Sequence, residues 1–98
     1  MTAFDRPAIA TVVEVLSRRG ALEVFEALLQ GPMSERALVS HRGVTGTVAR
    51  QRVEQLRRLG VVEVVPESGK LRLSPQGRRL QGLLEQLAAW SRPADGGR

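Results

Sequence analysis

The chain has no cysteine, which excludes disulfides, zinc ribbons, iron–sulfur clusters and thiol redox chemistry together. No apolar run approaches the roughly 20 residues needed to cross a bilayer. The N-terminus, interrupted by Asp5, carries neither a basic start nor an apolar signal core, so a cytoplasmic protein with no membrane partner is expected. Histidine occurs once, at His41, which leaves a metal without a second imidazole or thiol. His41 lies beside Ser40 with no recognisable triad pattern and reads as a turn residue or phosphate contact. The acidic residues are scattered singly, and no Gly-rich phosphate loop or cofactor motif is present. No enzyme, metal or cofactor is therefore expected.

What remains is a soluble globular composition in 98 residues, 42% hydrophobic and 26% charged, enough for one small domain spanning 1–98. The formal charge of +5 is unevenly placed. Between Arg36 and Arg58 stand Arg36, Arg42, Arg50, Arg52, Arg57 and Arg58 against Glu54 alone; the rest holds nine basic and nine acidic residues. A concentrated basic segment is the electrostatic footprint of a nucleic-acid surface, because neutralised phosphates release condensed counterions. An acidic protein would be attracted to the same arginines. Lysine occurs only at Lys70; this bias is given little functional weight, since codon usage in a GC-rich genome yields it too.

Apolar periodicity orders the chain. Ile9, Val12, Val13 and Leu16 predict a helix over about 8–19, with Asp5 and Pro7 suited to its first turn. Leu22, Phe25, Leu28 and Leu29 predict a second, stopped by Gly31-Pro32. Ser34 caps a short third helix to about Val39, and Ser40 to Gly43 form a tight polar turn. Thr45 caps a fourth helix that runs to about Leu59 and ends at Gly60. The period then drops to 2: Val62 and Val64, then Leu71 and Leu73, flank the turn residues Pro66 to Gly69 and predict a hairpin. Ser74-Pro75 opens a last helix with Leu80, Leu83, Leu84, Leu87 and Trp90 on one face, through about residue 92. Residues 93–98 read as a frayed tail.

This order is that of an α+β, mainly α, winged helix-turn-helix with flanking N- and C-terminal helices. The short helix and the helix after Thr45, joined by a compact turn, suit presentation of the second helix to a DNA major groove. At 100° per residue, Ala49, Val53 and Leu56 share one side of that helix, with Val48 and Leu59 at its margin. Thr47, Arg50, Gln51, Glu54 and Arg58 occupy the other. Arg50 and Gln51 are the strongest base-edge candidates, since arginine matches guanine O6/N7 and glutamine matches adenine N6/N7 in bidentate fashion. Thr47 reaches a base or a phosphate. Thr45, Arg36 and Arg42 suit the DNA backbone, and Lys70 and Arg72 on the hairpin suit phosphate or a neighbouring minor groove.

Arg57 and Arg58 read equally well as a solvated helix face. Arg52, nearer the buried side, reads as a structural arginine whose head finds a carboxylate. Glu54 suits an i, i+4 pair with Arg50 or Arg58. The two terminal helices, 1–19 and 75–92, carry more apolar surface than a small core needs. Ile9, Val12, Val13, Leu83, Leu87 and Trp90 are therefore expected in a homodimer interface, Trp90 as core or interface before ligand platform. A small-molecule effector is a minor alternative.

The sequence also resembles the HxlR-type winged-helix transcriptional regulators of bacteria and archaea, relatives of the MarR, PadR and ArsR groups. The likeness covers roughly 21–92, through Leu28-Leu29-Gln30-Gly31-Pro32, Gly43-Val44-Thr45, Gln51-Arg52-Val53-Glu54-Gln55-Leu56, Gly60-Val61-Val62 and Leu73-Ser74-Pro75-Gln76-Gly77, ending at Leu87 to Trp90. It implies a homodimer built from the terminal helices, a recognition helix from about Thr45 to Leu59 and a wing between Val62 and Leu73. Many members carry an oxidant-sensing cysteine near the N-terminus; its absence here means that no thiol switch carries over. The wing is short, and Glu67 would repel phosphate. The function expected is a nucleoid-associated, sequence-specific regulator that binds a pseudo-palindromic duplex as a homodimer. A winged-helix adapter for an acidic protein, or a DNA-binding role in plasmid partition or chromosome architecture, is the alternative.

Overall fold

The computed structural model describes residues 4–40 and 44–92. Helix α1 spans Arg6–Leu16, α2 Ala21–Leu28, α3 Glu35–Val39 and α4 Gly46–Arg58; strands β1, Val62–Val64, and β2, Leu71–Leu73, precede α5, Pro75–Ser91. The predicted order of elements is found. His41, Arg42, Gly43 and the tail 93–98, which the sequence reading assigned to a polar turn and a frayed end, lie outside the described residues.

Short polar side chains start four of the helices. Asp5 accepts from the Ala8 amide (3.1 Å), Ser34 from Ala37 (3.1 Å), Thr45 from Val48 (3.4 Å) and Ser74 from Gly77 (3.0 Å). Each satisfies an amide that has no partner within the helix. The first helix is shorter than its apolar pattern predicts. It stops at Leu16, where the Ser17 hydroxyl donates back to the Glu14 carbonyl (2.9 Å) and the Arg18 amide bonds Val15 (3.2 Å) in a tightened last turn. Gly20, at φ +89°, then turns the chain into α2.

At the end of α4 the Gly60 amide donates to the Arg57 carbonyl and the Val61 amide to that of Leu56, both at 2.9 Å. This is the paired closure of a Schellman motif, and buried Val61 and Leu56 supply its apolar contact. The hairpin that follows pairs Val62 with Leu73, Glu63 with Arg72 and Val64 with Leu71. A third short edge, missed by the sequence reading, is Met33, which exchanges backbone hydrogen bonds with Leu71 at 2.9 and 2.8 Å. A single bridging residue ahead of α3 carries no period-2 signal to read.

The core is gathered between α2, α3, the inner side of α4 and the hairpin: Val24, Phe25, Leu28, Leu38, Val53, Leu56, Val61, Val62, Leu71 and Leu73 are all buried. Ser74 locks the hairpin to α5. Its amide donates to the Val61 carbonyl (2.9 Å), and its hydroxyl donates to that of Gly60 while accepting from Gly77. Gly77 has no room for a side chain, since a Cβ there would run into the Val61 carbonyl oxygen. Beyond this joint the packing thins. Gly77 is the one buried residue of α5, and α1 buries none completely. Among the described residues no helix is long and apolar enough to cross a membrane.

Candidate nucleic-acid interface

Helices α3 and α4 form the helix-turn-helix pair, and α4 is sharply two-sided. Ala49, Val53 and Leu56 face the core, whereas Thr47, Arg50, Gln51, Glu54, Arg57 and Arg58 are exposed. The buried side holds the helix; the polar side is left for solvent or a ligand. Arg50 keeps 74% of its side chain exposed and makes a loose ion pair with Glu35 of α3, its Nε 3.8 Å from the carboxylate. Such a pair contributes at most about 1 kcal/mol and exchanges readily for a phosphate or a base edge. Gln51 and Thr47 lie on the same exposed side.

Glu54 is engaged within its own helix. It stands 3.8 Å from Arg57 and 3.7 Å from Arg58, so of the two pairings expected for it the structure has Arg58, with Arg57 in place of Arg50. Arg52 departs from expectation in its partners. Its Nε donates to the Arg19 carbonyl (2.6 Å) and Nη1 to the Gln55 side-chain oxygen (3.1 Å), not to a carboxylate. The α1–α2 turn brings a backbone oxygen to the guanidinium, and no periodicity in the sequence announces that contact across 33 positions.

The backbone candidates divide by place. Arg36 is exposed on α3 and shares an open groove with Glu35, Ser40, Gly46 and Arg50. Thr45 is exposed, but its hydroxyl oxygen is used as the cap of α4. Arg42 lies outside the described residues. On the hairpin, Lys70 is exposed near the tip, whereas Arg72 is held by Glu63 across the two strands at 2.7 Å. Neutralised by a partner and flanked by the acidic tip residue Glu67, Arg72 offers less to a phosphate than its charge suggests.

A second surface of different chemistry lies on the terminal helices. Val13 is 57% exposed, Leu83 61%, Leu87 56% and Trp90 80%, and Ile9 is exposed as well. Val12 is half-buried and lines an apolar groove of about 250 Å³ with Leu59, Val61, Leu80 and Leu83, bordered by Gln76 and Arg79. Phe4, ahead of α1, is 77% exposed and was missed in the sequence, where a lone aromatic before a helix has no period to join. Among the described residues no cluster of histidine and carboxylate side chains is arranged to hold a metal ion.

No protein-family model matches the sequence, and no curated protein matches it significantly. Solved structures do match in fold. Quinone-bound YodB from Bacillus subtilis superposes with a TM-score of 0.76 at 19% identity, covering 87% of this chain and 96% of that one. A MarR-family protein from Enterococcus faecalis gives 0.75 at 24% identity, covering 92% and 87%. The homodimeric winged helix-turn-helix DNA-binding domain of Mb0332 from Mycobacterium bovis gives 0.69 at 24% identity, covering 89% and 88%. At these identities the likeness speaks for architecture: the chain has the winged helix-turn-helix fold.

Proposed function

We propose that the protein is a sequence-specific, double-stranded DNA-binding transcriptional regulator that acts as a homodimer, of HxlR-type affinity. One observation carries the reading. The helix that the core holds most firmly on its inner side presents Thr47, Arg50, Gln51 and Arg58 outward, in the position from which a helix-turn-helix enters a major groove. In this reading Arg50 and Gln51 read base edges and Arg36 holds a phosphate. Thr45 fixes the N-terminus of the recognition helix through its cap and keeps only its remaining hydroxyl hydrogen for the backbone.

Dimerisation is supported by the exposed apolar residues of α1 and α5. Covering Leu83, Leu87 and their neighbours stabilises by roughly 1.5–3 kcal/mol for each large side chain fully buried. Within one chain they have no cover. The names of the matched structures support the same reading, since the Mb0332 domain is described as homodimeric and DNA-binding. A two-fold dimer places two copies of α4 about one helical turn apart along a pseudo-palindrome, on the order of 10 base pairs between half-site centres.

Selection from a pool of random duplexes tests the function. A recovered palindromic site is the expected result. No enrichment, together with salt-sensitive binding to acidic proteins, would replace it with the adapter reading. Recovered sites located away from promoters would turn it toward chromosome architecture or plasmid partition.

A further inference from the structure

Helix α4 is a ridge with a different element on each flank. On one side Arg50 reaches Glu35 of α3. On the other, Arg52 holds the Arg19 carbonyl, and Gly20 approaches so closely that a Cβ there would stand 2.9 Å from Val48 Cγ1. The α1–α2 turn is thereby fastened to the recognition helix. Along that flank runs an open groove lined by Arg18, Arg50, Gln51, Arg52, Gln55 and Arg58, with Glu54 its acidic member.

The dimensions decide what meets this groove. A helix with its side chains is about 10–12 Å across, and the major groove of B-form DNA is about 12 Å wide. A helix seated there fills it, so the elements on its two flanks face the two sugar-phosphate strands that border the groove. The α3 flank, with Arg36, meets one strand. We infer that the α1–α2 turn is a second phosphate clamp, in which Arg18 holds the strand opposite to the one held by α3 within the same half-site. The inference rests on the duplex-binding reading of α4 and extends the interface beyond the helix-turn-helix.

Arg18 is available for this. Its partner in the free protein is Glu14 one turn earlier, at 3.0 Å, and both side chains are substantially exposed. An exposed pair of this kind contributes little, so a phosphate displaces Glu14 readily. Arg52 is a positioning residue: its two hydrogen bonds hold the turn against α4, and the guanidinium adds positive charge to the groove wall.

The absence of cysteine makes a direct test simple, because one introduced thiol carries one label. Arg18→Cys and Arg36→Cys, each tethered to an iron–EDTA cleavage reagent, are bound to the selected site in separate experiments. The expected result is cleavage of opposite strands at the borders of the same half-site. Cleavage of the same strand by both, or cleavage from position 36 and none from 18, overturns the clamp and leaves the recognition helix standing. Cleavage from neither position overturns both. Independently, Arg18→Ala should leave folding and sequence preference intact and reduce the slope of log K against log salt by about 0.9, the effect of one lost phosphate contact; an unchanged slope overturns the clamp.

Discussion

Helices α4 and α5 are both amphipathic, yet they use their two faces in opposite ways. In α4 the apolar stripe is buried and the polar stripe is free; in α5 the apolar stripe beyond Gly77 is itself largely free. A free charged face is stable in water and suits a ligand that comes and goes with salt, as a polyanion does. A free face bearing Leu83, Leu87 and Trp90 favours a lasting cover. The difference assigns the two helices to two kinds of contact, one reversible and one permanent.

The comparison breaks most sharply at the apolar end. Leu87→Asp combined with Trp90→Glu should convert the dimer to monomer or unfold it, read by sedimentation and circular dichroism; a stable wild-type monomer at micromolar concentration would remove the permanent contact from the comparison. Next in size, Leu56→Ala should cost about 2–5 kcal/mol in denaturant unfolding, because it opens a cavity under α4 where every neighbour is packed. The same truncation at Leu83 should cost much less in any monomeric variant, since its side chain there is mostly in water.

On the polar side, Arg50→Ala or Gln51→Ala should cost about 1–3 kcal/mol of DNA affinity and relax preference at one base position, measured by titration against singly substituted sites. Stability should barely move. The smallest effect is expected at the wing. Arg72→Ala removes an exposed cross-strand pair with Glu63 and should change stability by no more than about 1 kcal/mol. Because Arg72 is already engaged by Glu63, Lys70→Ala should reduce the salt dependence of DNA binding more than Arg72→Ala does.

Much of this was legible in the residues. The caps at Asp5, Ser34, Thr45 and Ser74 mark helix starts by local chemistry, and the change of period after Gly60 marks the hairpin. The division of α4 into buried and exposed residues follows from 100° spacing alone. What could not be read were the contacts between distant elements. Met33 joins the sheet through a single bridge, Arg52 finds a carbonyl on another turn, and Arg72 is taken by Glu63. None of these leaves a periodic trace, because each depends on where the chain returns to itself.

The amino-acid order by itself determined the elements, their two-sidedness and the concentration of arginine after Ser34, since these rest on interactions within a few residues. Tertiary structure alone decided which arginines stay free, which are tied down, and that the α1–α2 turn stands beside the recognition helix. The reason is physical: a helix dictates which way its own side chains point, but the partner that meets them is chosen by packing across the whole core.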